Sequence, residues 1–207
     1  MRRIRPRAGG NAPQKTGSRA APGGRCTLRI IGGEWRGRRI RFPDRPGLRP
    51  TPDRVRETLF NWLSPRIADA RCLDLFAGSG ALGLEALSRG AAEVVFVESD
   101  AAAACALAAT VMSLTPARGR VVAADALAFL HGEPRPFDVV FLDPPFGSGL
   151  LAAAIHALDT RGWLTPAGCV YVEAPAADGP PAWPGRWREH RSGRAGAVAF
   201  RLALAGA

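Results

Sequence analysis

The sequence predicts an α/β fold: a Rossmann-like, mostly parallel seven-stranded sheet with helices on both faces, preceded by a small basic hairpin-and-helix extension. Three observations carry this expectation. From residue 71 onward, short apolar or β-branched runs alternate with helical stretches, the pattern of parallel strands joined by crossover helices. A glycine-rich turn from Gly78 to Gly83 directly follows the first of these runs and opens the first helix, as in nucleotide-binding α/β folds. The closing segment, 186–204, reads as two strands with no helix between them, which makes them antiparallel.

The extension comes first along the chain. Residues 1–25 contain Gly, Pro, Ala and Arg but no acid, a composition expected of a disordered basic tail. Two β-like runs, 27–31 and 38–42, flank Gly32-Gly33 and Gly37, a hairpin signature, and Arg36, Arg38 and Arg39 make that hairpin basic. In the segment Arg49-Pro50-Thr51-Pro52-Asp53-Arg54-Val55-Arg56, Thr51 suits a helix N-cap, Pro52 the first helical position and Asp53 the positive end of the helix dipole. Val55, Leu59 and Trp62 then share one helical face. The extension is assigned to 26–66 and the main α/β domain to 67–207.

Within that domain the expected strands are 72–76, 94–97, 120–123, 139–142 and 169–173. The expected helices are 81–88, 101–112, 126–130 and 150–158. The last two strands turn near Ser192-Gly193, with Trp183 and Trp187 covering a sheet edge.

Composition narrows the class. The chain has 207 residues, 47% of them hydrophobic and 22% charged, enough for one medium domain with a real core. No apolar run approaches the roughly 18 residues needed to cross a bilayer, and the first 25 residues lack the apolar stretch of a secretory signal. Their Arg-rich, acid-poor composition also matches an organelle transit peptide, a competing possibility. Cys26, Cys72, Cys105 and Cys169 form no CxxC pair, which argues against a zinc cluster and against a disulfide scaffold. A cytoplasmic protein without a metal centre is expected.

Charge is unevenly distributed. Net charge is +10, yet residues 1–56 alone hold 16 Arg and Lys against Glu34, Asp44 and Asp53. A dense basic segment beside a slightly acidic domain is what phosphate-backbone binding requires, because neutralised phosphates release counterions. Only Lys15 is lysine among the 28 basic residues; codon bias explains Arg over Lys, but not the asymmetry. Arg49, Arg54 and Arg56 crowd the approach to the glycine loop, though a solvated helix face explains them equally well.

The loop 74–83, Asp74-Leu75-Phe76-Ala77-Gly78-Ser79-Gly80-Ala81-Leu82-Gly83, places G-x-G-x-x-G at a strand-to-helix turn. Glu98, followed by Ser99, ends the second strand 20 residues after Gly78, where a carboxylate accepts ribose hydroxyl hydrogens. Alone, this suits a nicotinamide dinucleotide as well as S-adenosylmethionine. Asp74 favours the second. A carboxylate beside the loop repels a pyrophosphate and attracts a molecule bearing an ammonium and a sulfonium. Asp125, two residues after the third strand, suits the adenine amino group, with the Ala126 N–H meeting a ring nitrogen. Each acid by itself could be a helix cap or a surface carboxylate; three at consecutive strand ends is the stronger signal.

The fourth strand ends in Asp143-Pro144-Pro145-Phe146. Prolines fix φ and donate no hydrogen bond, so this turn presents its carbonyls rigidly. The Asp143 carboxylate and Pro144 carbonyl suit the two hydrogens of an exocyclic amine on a flat base, and Phe146 offers a ring to stack on it. The plain alternative is an ordinary strand-end turn. His131, His156 and His190 form no constellation and are expected to be structural.

The strings RPTPDRVRETLFNWL, CLDLFAGSGALGLEALSRGAAEVVFVESD and DVVFLDPPF resemble the RsmD family of methyltransferases, over about residues 28–204. The resemblance implies a Rossmann-like methyltransferase fold and S-adenosylmethionine as cofactor, with Ala77, Gly78, Ser79, Gly80, Glu98 and Asp125 at the cofactor and Asp143 to Phe146 at the target base. The substrate it implies is the exocyclic N2 of a guanine in small-subunit (16S) ribosomal RNA, within an assembled or assembling subunit. Arg36, Arg38, Arg39, Arg49, Thr51, Arg54 and Arg56 would then contact RNA. Two positions depart from the family pattern: Thr110-Val111 stands where an Asn is frequent, and Arg194-Ala195-Gly196 replaces a Lys-x-Gly-like turn. Adenine-N6 or protein-amide methylation uses a similar tetrapeptide, so the motif alone does not name the base. A nicotinamide-dependent reductase and a catalytically silent RNA chaperone remain as rivals from other classes.

Overall fold

A computed structural model describes residues 25–43 and 50–206; the expected tail, apart from Arg25, and Arg49 lie outside them. Two short strands, β1 (Arg25–Arg29) and β2 (Arg39–Pro43), pair antiparallel as the basic hairpin. Helix α1 (Asp53–Leu63) follows. The main domain then alternates β3 (Arg71–Asp74), α2 (Ala81–Ser88), β4 (Glu93–Glu98), α3 (Ala101–Leu114), β5 (Gly119–Ala123), α4 (Ala126–His131), β6 (Phe137–Leu142), α5 (Leu150–Thr160), β7 (Leu164–Pro175), β8 (Trp187–Ala195) and β9 (Val198–Ala205). The large sheet runs β5-β4-β3-β6-β7-β9-β8. Its first five strands are parallel and β9 and β8 pair antiparallel, as expected. No helix among the described residues is long and apolar enough to cross a membrane.

Strand alternation builds two cores. Cys72, Phe96, Val139, Phe141, Tyr171 and Leu202 point to one face, where they meet α1, α2, α3 and the hairpin residues Leu28, Ile40 and Phe42. Their chain neighbours Leu73, Val95, Val97, Val140, Leu142, Val170 and Ala203 point to the other, under α4 and α5. Every residue of α2 is buried, and its polar members Glu85 and Ser88 accept backbone N–H groups from residues 31–35 instead of meeting water. Gly83 belongs to that helix because a Cβ there would sit 2.2 Å from the Phe96 ring.

Thr51 does not cap α1: Pro52 holds the cap position without a side-chain bond, and the Thr51 hydroxyl donates instead to Glu173 Oε1 at 2.8 Å. The final hairpin turns at Gly196, φ +60°, not at Ser192-Gly193. Gly193 is inside β8 opposite Phe200, whose ring lies 2.4 Å from where a Cβ would be, a close-approach glycine rather than a turn glycine. Trp187 belongs to the edge strand itself, with Trp183 tilted against it at 6.2 Å.

Arg56, which the sequence offers as an RNA contact, has no access to RNA. It is fully buried. Its guanidinium donates to Asp53 Oδ1 (2.6 Å), Glu85 Oε2 (3.3 Å), the Arg29 carbonyl (2.9 Å) and the Thr51 carbonyl (3.1 Å). Burial pulls its pKa down, and Glu85 and Asp53 oppose that. Glu85, buried on α2, also accepts from the backbone N–H groups of Ile31 and Gly32 and from Arg89. Arg56 and Glu85 thus fasten the hairpin and α1 to the helix that carries the glycine loop. No surface is left on Arg56 for a phosphate.

Candidate active site

The strand order reverses between β3 and β6, and the crevice outside the carboxyl ends of such strands is where α/β sheets bind ligands. The glycine loop stands on its β3 side. Ala77 N–H donates to the Val97 carbonyl at 2.9 Å, and Gly80 N–H to the Ala77 carbonyl at 2.7 Å. Gly78 and Gly80 both take positive φ, +51° and +77°, which lets the chain turn without a Cβ clash. Ile40 and Phe42 of the hairpin meet Gly78, Ser79 and Thr110 across a small gap, so the extension abuts the loop.

Asp74, Glu98 and Asp125 fall at the ends of β3 and β4 and just beyond β5, as the sequence suggests. Each is partly engaged by backbone. Asp74 is buried and its Oδ2 accepts the Gly83 N–H at 3.0 Å. Glu98 is half-buried; it accepts the Gly78 N–H on Oε2 and the Asp100 N–H on Oε1, both at 2.7 Å, so it shapes the loop as well as facing the crevice. Ser99 beside it is exposed. Asp125 is the N-cap of α4, accepting the Ala128 N–H at 2.9 Å on one oxygen. The other oxygen stays available, and Ala126 opens the helix, whose first N–H groups have no partner within it.

The proline turn forms the other side. Asp143 follows Leu142 at the end of β6, and Leu142 pairs with Val172 of β7, so the next residues along the two strands are Asp143 and Glu173. Pro144 is buried, Pro145 is exposed and Phe146 is 51% exposed. With Glu173, Trp183 and the first turns of α5, the residues Pro144, Pro145 and Phe146 line a cavity of about 640 Å³. His156, expected to be structural, also lines it.

The sequence offered no sign of Glu173. It lies near the end of the longest strand, and one of its two partners is distant in sequence: Thr51 and Tyr171 hydroxyls donate to its Oε1 at 2.8 and 3.0 Å. Electrostatically it belongs with the two aspartates. Burial, with the nearby Glu98 charge, pushes Asp74 up to about 7. Burial and the charges of Glu173 and Asp74 hold Asp143 well above the usual carboxylate range, and burial raises Glu173 against the pull of its two hydroxyl donors. Three acids in one crevice repel each other and lack a neutralising cation among the groups that set these shifts. Such a floor favours a positively charged guest and disfavours a pyrophosphate.

The basic residues divide by exposure. Arg36, Arg38, Arg39 and Arg54 are exposed on the hairpin and α1, whereas Thr51 and Arg56 are buried. Among the described residues no three His, Cys, Asp or Glu side chains gather as metal ligands.

A family model described as "conserved hypothetical protein 95" matches residues 28–204. The chain is 53% identical over 175 residues to ribosomal RNA small subunit methyltransferase D of Escherichia coli strain K12, covering 84% of this chain and 88% of that one. Its identity to the protein of the same name from Haemophilus influenzae is 44% over 186 residues, 87% of this chain and 95% of the relative. A solved structure, a putative methyltransferase yhhF from Escherichia coli, superimposes with a TM-score of 0.82 at 48% identity, covering 88% of this chain and 99% of that one. Sequence and fold agree throughout the region that holds the glycine loop and the proline turn, and the chain belongs to the ribosomal RNA small subunit methyltransferase D (RsmD) family.

Proposed function

We propose that this protein is a cytoplasmic enzyme that transfers a methyl group from S-adenosylmethionine to the exocyclic N2 of a guanine in small-subunit (16S) ribosomal RNA, within the assembled or assembling subunit. The observation that carries this reading is the cluster of carboxylates beside the proline turn and its cavity, Asp74 and Glu173 buried and Asp143 half-buried. The names of the relatives at 53% and 44% identity support the RNA class.

When bound, S-adenosylmethionine supplies an electrophilic methyl group on a positively charged sulfur. Asp74, the 77–80 loop, Glu98 and Ser99, and Asp125 with Ala126 are the residues that would hold it. A cation at this floor draws Asp143 toward its ionised form, in which both oxygens accept hydrogen bonds. Asp143 and the Pro144 carbonyl would then accept hydrogen bonds from the two amine N–H groups, fix the nitrogen and help free its lone pair from the ring. Phe146, already exposed, stacks on the base. As the nitrogen takes the methyl group, the methyl–sulfur bond would break to leave neutral S-adenosylhomocysteine, and Asp143 would stabilise the positive charge that passes to the nitrogen. The resulting ammonium is acidic enough to release its proton to solvent without a histidine base. The target base leaves its stack to enter, while Arg36, Arg38, Arg39 and Arg54 grip neighbouring phosphates.

The test is mass spectrometry of nucleosides from small-subunit ribosomal RNA of cells lacking the protein. One N2-methylguanosine should disappear from a single fragment and return with the wild-type gene. Unchanged N2-methylguanosine, or loss of N6-methyladenosine instead, would reject the assignment.

A further inference from the structure

We infer that Glu173 reads the N1–H of the target base and thereby makes the pocket accept guanine and refuse adenine. The inference rests on the guanine-N2 reading above and supplies what the proline turn lacks. An exocyclic amine held by Asp143 and Pro144 is common to guanine and adenine, so that turn cannot tell them apart. The neighbouring ring atom can. Beside the amine, guanine N1 carries a hydrogen, whereas adenine N1 carries a lone pair.

Glu173 stands where that atom would be met. It directly follows the run of β7 that pairs with β6, one strand over from Asp143, and it lines the same cavity as Pro144 and Phe146. Its residue is only 5% exposed. Thr51 and Tyr171 both donate to Oε1; no hydrogen bond from the described residues falls on Oε2, so that oxygen is the one free to meet a ligand in the cavity. Two hydroxyl donors on one oxygen fix the carboxyl's rotation and mark it as an acceptor. Thr51, buried and bonded here rather than to phosphate, is a positioning residue for Glu173. An acceptor aimed at N1–H gains a charge-assisted hydrogen bond with guanine. Against adenine it meets a lone pair and is left buried and unpaired, the arrangement that discriminates most strongly between similar substrates.

The probe is 2-aminopurine, which keeps the exocyclic 2-amino group of guanine but has a bare lone pair at N1. Small subunits are reconstituted from ribosomal RNA carrying guanosine or 2-aminopurine riboside at the nucleotide identified by mass spectrometry, and methylated with the wild-type protein and Glu173→Gln. Wild type should methylate the 2-aminopurine subunits about 10- to 100-fold more slowly than guanosine subunits, the size of one hydrogen bond to a charged group. Glu173→Gln should slow guanosine methylation by about the same factor. Its amide can rotate to donate to a bare N1, so its preference should shrink to within a few-fold. A wild type that treats the two subunits alike overturns the inference while leaving N2 transfer intact, and needs no variant to fold. A Glu173→Gln protein that keeps the full preference also overturns it. Wild type that leaves guanosine N2 unmodified in both assays refutes the function itself.

Discussion

Asp143→Ala should lose methyl transfer by at least about 10²–10³-fold, the scale set by removing one preorganised charge-stabilising group, while S-adenosylmethionine still binds. The carboxylate has two tasks that alanine cannot share: it accepts an amine hydrogen, and it faces the positive charge that grows on nitrogen. Its burial beside Glu173 and Asp74 also means that the fold carries a desolvation cost at this position. Alanine removes that cost, so thermal stability should hold or rise as activity vanishes. Asp143→Asn keeps an acceptor oxygen but no charge and should fall between. Single-turnover rates with small subunits, read beside melting curves, separate the cases. Turnover retained by Asp143→Ala, or a melting point lowered enough to explain the loss, counts against the role.

The second large effect is on stability. Arg56→Ala leaves Glu85 buried and the Arg29 and Thr51 carbonyls without their donor. Breaking one side of a buried ion pair typically costs about 3–5 kcal/mol. For a domain of this size each kilocalorie lowers Tm by about 2–4 °C, so the midpoint should fall by roughly 6–20 °C. Arg89, which also donates to Glu85 at 2.8 Å, places the outcome toward the lower end. Arg56→Lys keeps the charge but not the planar fork that reaches four acceptors, and should recover only part of the loss. Arg54→Ala on the exposed side of the same helix should leave Tm nearly unchanged and weaken RNA binding. An Arg56→Ala protein as stable as wild type would show that the buried network does not fasten the extension.

Most of the sheet was legible because its signals are local. The central parallel strands are buried on both faces, so runs such as Val94 to Val97 are continuously apolar and bounded by turn residues. Asp74, Glu98 and Asp125 were legible because a strand-end carboxylate is defined by its place in the alternation. What escaped depends on contacts across long stretches of chain. Arg56 looks like any surface arginine on an amphipathic helix until Glu85, 29 residues on, is known to face it. Glu173 is separated from its partner Thr51 by 122 residues, and a glutamate near a strand end ordinarily points to water. Gly193 mimics a turn because a glycine chosen for the ring opposite it looks the same in sequence as one chosen for its φ.

On the proposed function, the crevice is acidic because its guest is a cation. Isothermal titration calorimetry with S-adenosylmethionine from pH 5.5 to 7.0 tests it directly, with NADH as the pyrophosphate-bearing comparison. With Asp74 pushed up to about 7 in the empty protein, that carboxyl is largely protonated at the lower pH and increasingly ionised as pH rises. A cation binds the ionised form better, so affinity should climb with pH, by at most about tenfold per unit for one proton released. The climb should flatten in Asp74→Asn, and NADH should not bind. Tight NADH binding, or S-adenosylmethionine affinity that stays level or falls as pH rises, would contradict the account.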